Sequence, residues 1–286
     1  MKTLIVNADD FGLCEGVNAA ILDAYAAGSL SSTTLMVNGA AAAAAAQLAL
    51  RHPGLGVGLH FNLTLGRPSA DPCEIPGLLL PDGTFPARGV LARRLMLGRV
   101  YSAQLTAELD AQLAAFERLG LVPSHVDSHQ HVHAFPQVFD VLARACAARS
   151  LPLRQPWAAR PVGARPRLGR ALRTGLLAWM TSLNHRRWQG RLRSNKAFTS
   201  VFDLGAVPSR LDASHYRALL RDVQAFPCEL MVHLSRRPDD VDGLTRIGDV
   251  SHAEWQCLMQ GALAQVIAEQ GWQLRNYREA FDEERR

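Results

Sequence analysis

Two carboxylates stand side by side at Asp9 and Asp10, ending the apolar run TLIVNAD (3–9) just before Phe11-Gly12. Neighbouring side chains on an extended strand face opposite ways, but where the chain turns both can reach one cavity. There, one could ligate a cation while the other takes a proton. Further on, SHVDSHQHVH sets His125, Asp127, His129, His131 and His133 on one parity. An extended chain would project all of them from one face, where four imidazoles repel when protonated and waste burial when neutral. A divalent cation resolves that conflict, because neutral imidazole is a preferred nitrogen donor. The spacing does not choose which histidine binds. His60 in GVGLHFN and His233 in ELMVHLS each close an apolar run, and Arg154 sits in LRQPW, where Pro156 fixes the backbone beyond it. Singly these are bland: Asp-Asp before Phe-Gly is ordinary turn chemistry, and a histidine ending an apolar strand is usually a core residue. As a set they supply metal ligands, a base, an acid and an orienting cation.

The elements that must position them alternate. Strand-like runs are expected at 3–9, 31–38, 55–63, the start of 122–133, 151–157, 228–234 and 272–277. Helical spacing appears at 15–27, 39–50, 103–119, from Pro136 to about Arg149, at 211–225, and from a Ser251 cap to about 269. Strand and helix alternating about seven or eight times mean a parallel β/α fold. In such folds functional groups collect at the C-terminal ends of the strands, where Asp9, Asp10, His60, the histidine cluster, Arg154 and His233 all fall. Gly56 and Gly58 leave room for another part of the backbone to approach closely. No internal repeat or linker argues for a second domain.

The composition, 48% hydrophobic and 20% charged over 286 residues, is that of an ordinary globular chain. No 18-residue apolar run is present, and the N-terminal apolar stretch is too short for a secretory signal, so a cytoplasmic location is expected. Five scattered cysteines without a CxxC pair argue for reduced thiols and against a thiolate zinc site. The net charge of +5 is unevenly placed: no acidic residue occurs between Asp140 and Asp203, while arginines recur from Arg144 to Arg193. Within this block Leu168, Leu172, Leu176, Trp179 and Leu183 are spaced three or four apart, the pattern of a basic amphipathic helix. Such a helix at about 158–196 would suit an anionic membrane surface at the inner face, through residues 160–193. The plainer alternative is a barrel helix packed on its apolar side. Nucleic acid is disfavoured, because Trp157, Trp179 and Trp188 are too thinly spread to stack bases.

The segments LIVNADDFG (4–12), SSTTLMVNG (31–39), GLHFNLTLGRP (58–68), PSHVDSHQHVH (123–133), LRQP (153–156) and ELMVH (229–233) give the chain a resemblance. It resembles the YdjC-like carbohydrate deacetylases, a family that includes chitooligosaccharide deacetylases and hopanoid-biosynthesis-associated deacetylases. The resemblance implies a single-domain, distorted TIM-like α/β barrel of about seven parallel strands. It implies one divalent ion, Mg2+ or Zn2+, with Mn2+ or Co2+ also compatible, held by Asp10, His60 and His129. Asp9 would be the general base, Arg154 its orienting partner, and His233 the acid. His131, His133, Asp127 and Asn38 would line the site or support it. The substrate would be an acetylated amino sugar or a glycolipid such as an N-acetylglucosaminyl hopanoid. The sequence departs from the family where His-Pro-Gly becomes His233-Leu234-Ser235, which bears on substrate range. Oligomeric state is left open, a homodimer included. Competing readings are a metal phosphoesterase, a sugar isomerase on the same barrel, and a non-enzymatic nucleic-acid-binding protein. Against the first, no second dense carboxylate and histidine set offers a two-metal site.

Overall fold

A computed structural model describes residues 2–157, 168–204 and 207–282, without side chains for 168–174 and 282. Seven strands are described: β1 (Thr3–Phe11), β2 (Ser32–Leu35), β3 (Gly56–Phe61), β4 (Val126–Ser128), β5 (Ala197–Ser200), β6 (Cys228–Val232) and β7 (Gln273–Leu274). All pair in parallel, in the order β4-β3-β2-β1-β6-β5, with β7 added beside the start of β1. The helices are α1 (Glu15–Ala26), α2 (Ala42–Arg51), α3 (Arg88–Met96), α4 (Ser102–Arg118), α5 (Pro136–Arg149), α6 (Leu168–Trp188), α7 (Ala213–Leu220), α8 (Gly248–Met259), α9 (Ala262–Glu269) and α10 (Tyr277–Asp282). The sheet curls into the expected distorted barrel. Its gap is narrowed by residues 152–155, which bridge β4 through Leu153 and hydrogen-bond to Arg193 and Asn195 just ahead of β5.

Burial follows from the connection. Parallel strands with helices outside are covered on both faces, so β1, β2, β3 and β6 are almost continuously buried. Helix α1 turns Val17, Ala20, Ile21 and Ala24 onto the sheet at helical period. Pro136 opens α5 at its first turn, where its missing N–H is harmless.

Several sequence expectations change. The run 151–157 supplies a single β-bridge rather than a strand, because its backbone is spent on both neighbours. Strand β5 was hidden behind the arginine-rich block. Ser251 does not cap a helix: α8 starts at Gly248, and the helical region breaks at the left-handed Gly261 before α9. The last strand is only Gln273–Leu274, and Tyr277 already opens α10. Gly58 makes room not for backbone but for an imidazole, since a Cβ there would lie 2.5 Å from the His125 ring. The stretch 158–167, including Arg160, Arg165 and Arg167, lies outside the described residues.

Candidate active site

The two aspartates reach one cavity because β1 is not regular at its tip. The β1–β2 register shifts between Ala8 and Phe11, and Asp10 adopts a left-handed backbone with φ 68°. A non-glycine residue held there stores on the order of 1–3 kcal/mol of strain, which the surroundings must offset. The break in parity brings both carboxylates, each at most 5% exposed, into the same buried centre.

Around Asp10 stand two imidazoles. His60, at the end of β3, lies with Nε2 3.2 Å from Asp10 Oδ1; His129, just past β4, places Nδ1 2.8 Å from the same oxygen. Asp10, His60 and His129 offer ligand atoms all within 4.8 Å of one another. This is a carboxylate and two-imidazole set suited to a divalent cation such as zinc, manganese, cobalt or magnesium. A second group, Asp9, His60 and Asp127, meets the same distance. It fits a cation less well, because Arg154 already occupies both of those carboxylates. Asp127 is fully buried behind His60, 2.7 Å from its Nδ1, with the Thr34 hydroxyl donating to Asp127 Oδ2 at 3.0 Å. Such a carboxylate fixes the imidazole's orientation and raises its basicity. Burial opposes charge on His60, but Asp127 and the hydrogen bonds to Asp10 and Asp127 outweigh it and push the ring up to about 10. The surplus of negative charge that favours a proton there equally favours a divalent cation.

Arg154 is the hub of the other half. Its fully buried guanidinium donates to both Asp9 oxygens at 2.9 and 2.6 Å, lies 2.6 Å from Asp127, and donates through Nε to Glu229 at 2.7 Å. A planar fork satisfied by three carboxylates is locked in place. Burial alone would raise the Asp9 carboxyl, but Arg154 holds it well below the usual carboxylate range. Asn7 adds a 3.0 Å bond to Asp9 Oδ1. The oxygen left most open is Oδ2, which faces His233 Nε2 at 4.0 Å. His233 follows the last residue of β6, and burial pushes its imidazole below the ordinary histidine value, despite the pull of Asp9.

The histidine run does not share a face as its parity suggests. Strand β4 stops at Ser128, and Gln130 and His131 turn left-handed within a 3-10 segment. His125 faces away, stacked at 3.7 Å on Tyr277. His131 packs among Trp157, Phe198 and His133, while His133 is fully buried with its Nδ1 on the Ser128 hydroxyl. Burial pushes His133 down to about 3 and His131 well down too, so both are neutral. Asn38 bonds to the Arg67 carbonyl at 2.8 Å and accepts from Asn62, organising the loop after β3 rather than the acidic centre.

Sequence reasoning missed Glu229, Tyr277 and Glu254. Glu229 is a carboxylate inside the apolar strand CELMV, and a charge on a covered strand requires a partner; that signal was legible. Its partners are Arg154 and the Tyr277 hydroxyl, and burial pushes it up to about 7. Glu254, fully buried on α8, had no such signal.

Known proteins resemble this chain over most of its length. Residues 3–269 match the family model described as YdjC-like protein. A carbohydrate deacetylase of Geobacillus stearothermophilus is 49% identical over 160 residues, 55% of this chain and 61% of that protein, so this match spans about three-fifths of the relative's length. A chitooligosaccharide deacetylase of Salmonella schwarzengrund is 34% identical over 279 residues, 95% of this chain and 96% of its own. Among solved structures, an Enterococcus faecalis protein provisionally described as a cellobiose-phosphate cleavage protein superposes with a TM-score of 0.78 at 24% identity, covering 96% of this chain and 97% of its own, and so shares the fold. With a match of this extent, the chain belongs to the YdjC-like protein family.

Proposed function

We propose that this chain is a divalent-metal-dependent carbohydrate N-deacetylase, removing acetyl groups from amino sugars of the chitooligosaccharide kind. The observation that carries this reading is the buried Asp10, His60 and His129 group beside an aspartate clamped by arginine, with a histidine 4.0 Å from it. The names of the two relatives supply the substrate class. A divalent cation bound by Asp10, His60 and His129 would supply Lewis acidity, making water a better nucleophile and polarising the acetyl carbonyl.

The chain's own groups move the protons. Water adds to the acetyl carbon and gives a proton to Asp9 Oδ2. Because Arg154 keeps that carboxylate a weak base, the proton is held only in passing and goes on to neutral His233. His233 then delivers it to the amine nitrogen as the C–N bond breaks, leaving acetate and a free amino sugar. Arg154 keeps Asp9 aimed through this sequence, and Asp127 keeps His60 aimed. A cytoplasmic location is part of this reading, on the ground that the five scattered cysteines form no CxxC pair. The test is acetate release from N-acetylglucosamine, diacetylchitobiose and an N-acetylglucosaminyl lipid, before and after chelation and metal return. Release of phosphate or formation of a ketose in place of acetate would sink the reading in favour of a phosphoesterase or isomerase.

One observation favours the lipid-linked substrate as a second reading. Helix α6 buries Leu177, Met180, Thr181 and Asn184, yet leaves Leu176, Trp179 and Leu183 40–60% exposed in a row that continues into Arg186 and Arg187. Helix α6 thus packs on the barrel through its other face, while this stripe stays in solvent. Leu168 and Leu172, its expected N-terminal members, lie among the residues whose side chains are not described. Among the described residues no helix is long and apolar enough to cross a membrane. An apolar row flanked by arginines, of which Arg187 also pairs with Asp140 of α5 at 2.8 Å, matches an anionic lipid surface. Flotation with phosphatidylglycerol vesicles but not phosphatidylcholine vesicles, lost in W179A and in R186E/R187E, is the expected result. Concentration-dependent dimerisation without flotation would assign the face to a second copy.

A further inference from the structure

Glu254 is an expensive residue to have where it is. It is fully buried on α8, and its oxygens accept from the backbone N–H of His233 at 3.0 Å and the Tyr216 hydroxyl of α7 at 3.3 Å. An unpaired buried carboxyl is costly, so both bonds must matter to the fold or to the site.

The location of the first bond tells which. Strand β6 pairs with β5 as far as Met231 and with β1 as far as Val232. His233 is therefore the first residue past the ladder, where its N–H has lost the sheet as a partner. Helix α8 takes over the hold on this stretch at three points. Glu254 receives the His233 N–H, the Ser251 carbonyl receives the Ser235 N–H at 3.3 Å, and the His252 ring lies 3.3 Å from the Ser235 carbonyl. This is also where His-Leu-Ser stands in the sequence, so the loop is set by α8 rather than by a proline.

We infer that Glu254 is a positioning residue: it replaces the missing ladder bond at His233 and so fixes the imidazole opposite Asp9. The inference rests on His233 as the proton carrier of the proposed reaction. Tyr216 holds Glu254 in turn, so the chain of command runs from α7 through α8 to the end of β6.

The experiment is a double-mutant cycle on diacetylchitobiose with metal supplied, joined to hydrogen exchange of the His233 amide. E254A is expected to lower kcat about ten- to hundredfold with KM nearly unchanged, and to add almost nothing in an H233A background. Its His233 amide should exchange at least tenfold faster while the amides of β1 keep their protection. E254Q, whose carboxamide oxygen can still accept, should recover most of the lost kcat. Y216F serves if E254A does not fold, with a smaller loss of the same kind. Equal losses from E254A in both backgrounds, or an unchanged His233 amide, would overturn the inference while leaving His233 as proton carrier. Full turnover in H233A would instead overturn the role of His233, and the inference with it.

Discussion

The barrel mouth and the outer side of α6 invert the usual rule in opposite directions. At the mouth, Asp9, Asp127 and Glu229 are buried on Arg154, and Asp10 on His60 and His129, which only pairing makes tolerable. On α6, Leu176, Trp179 and Leu183 face water although Leu177 and Met180, next to them, find a core. The first inversion is answered mostly within the chain, down to the hydroxyl of Thr34, and the buried His129 Nε2 and His233 Nδ1 are left without a partner at its centre. The second has no internal answer among the described residues and points outward. A violated rule compensated by buried partners around a few open donor atoms marks chemistry; one left uncompensated on the outside marks a surface that expects something.

The heaviest blow to that contrast is Arg154→Met. It leaves Asp9, Asp127 and Glu229 without their shared partner and should cost about 3–5 kcal/mol, read by urea unfolding. Acetate release should fall by about a thousandfold or more at any pH. Unaltered stability would mean that the centre is not held as a unit. Next come the adjacent carboxylates. Asp9→Asn should lower turnover by about 10²–10⁴-fold while calorimetry still finds the cation, whereas Asp10→Ala should lose both. If Asp9 proves the one needed for binding, the two roles are exchanged.

Glu254 sharpens the comparison through pH. Burial pushes its carboxyl up to about 8, against the His233 N–H and Tyr216 hydroxyl that favour ionisation and with Asp9 adding to the rise. The unfolded chain releases this proton near the ordinary glutamate value, the folded chain only near 8. Folded protein thus binds more protons in between, and stability falls as pH rises through that window. Glu254→Gln has no such proton. Its stability relative to the parent should climb between about pH 4.5 and 8 and level off above, by several degrees in Tm. A constant offset across the window would mean that Glu254 ionises normally. The smallest expected effect is on α6: Trp179→Ala should change stability by no more than about 0.5 kcal/mol, since the ring is already in water. A larger loss would mean that the ring has an internal partner after all.

Much of this was legible. Asp9, Asp10, His60, Arg154 and His233 were read from their places at the ends of apolar runs, because parallel β/α connections put such ends at one mouth. The histidine run was read less well. Parity assumes an extended chain, and the left-handed turn at Gln130 and His131 annuls it after Ser128. The four residues of β5 could not compete with the arginines around them for attention. Glu254 was out of reach for another reason: a glutamate on an amphipathic helix looks the same whether water or a backbone amide receives it, and only the end of the β6 ladder decides.

Tyr277 carries one more implication. Its hydroxyl reaches Glu229, its backbone N–H reaches Ser32, and its ring lies against His125. All three partners are laid down earlier in the chain, yet none has its final surroundings until residue 277 arrives. A ribosome that has finished every strand through β6 would still carry an unfinished centre. The order of synthesis therefore completes the surroundings of Glu229 and His125 only after β7 has emerged.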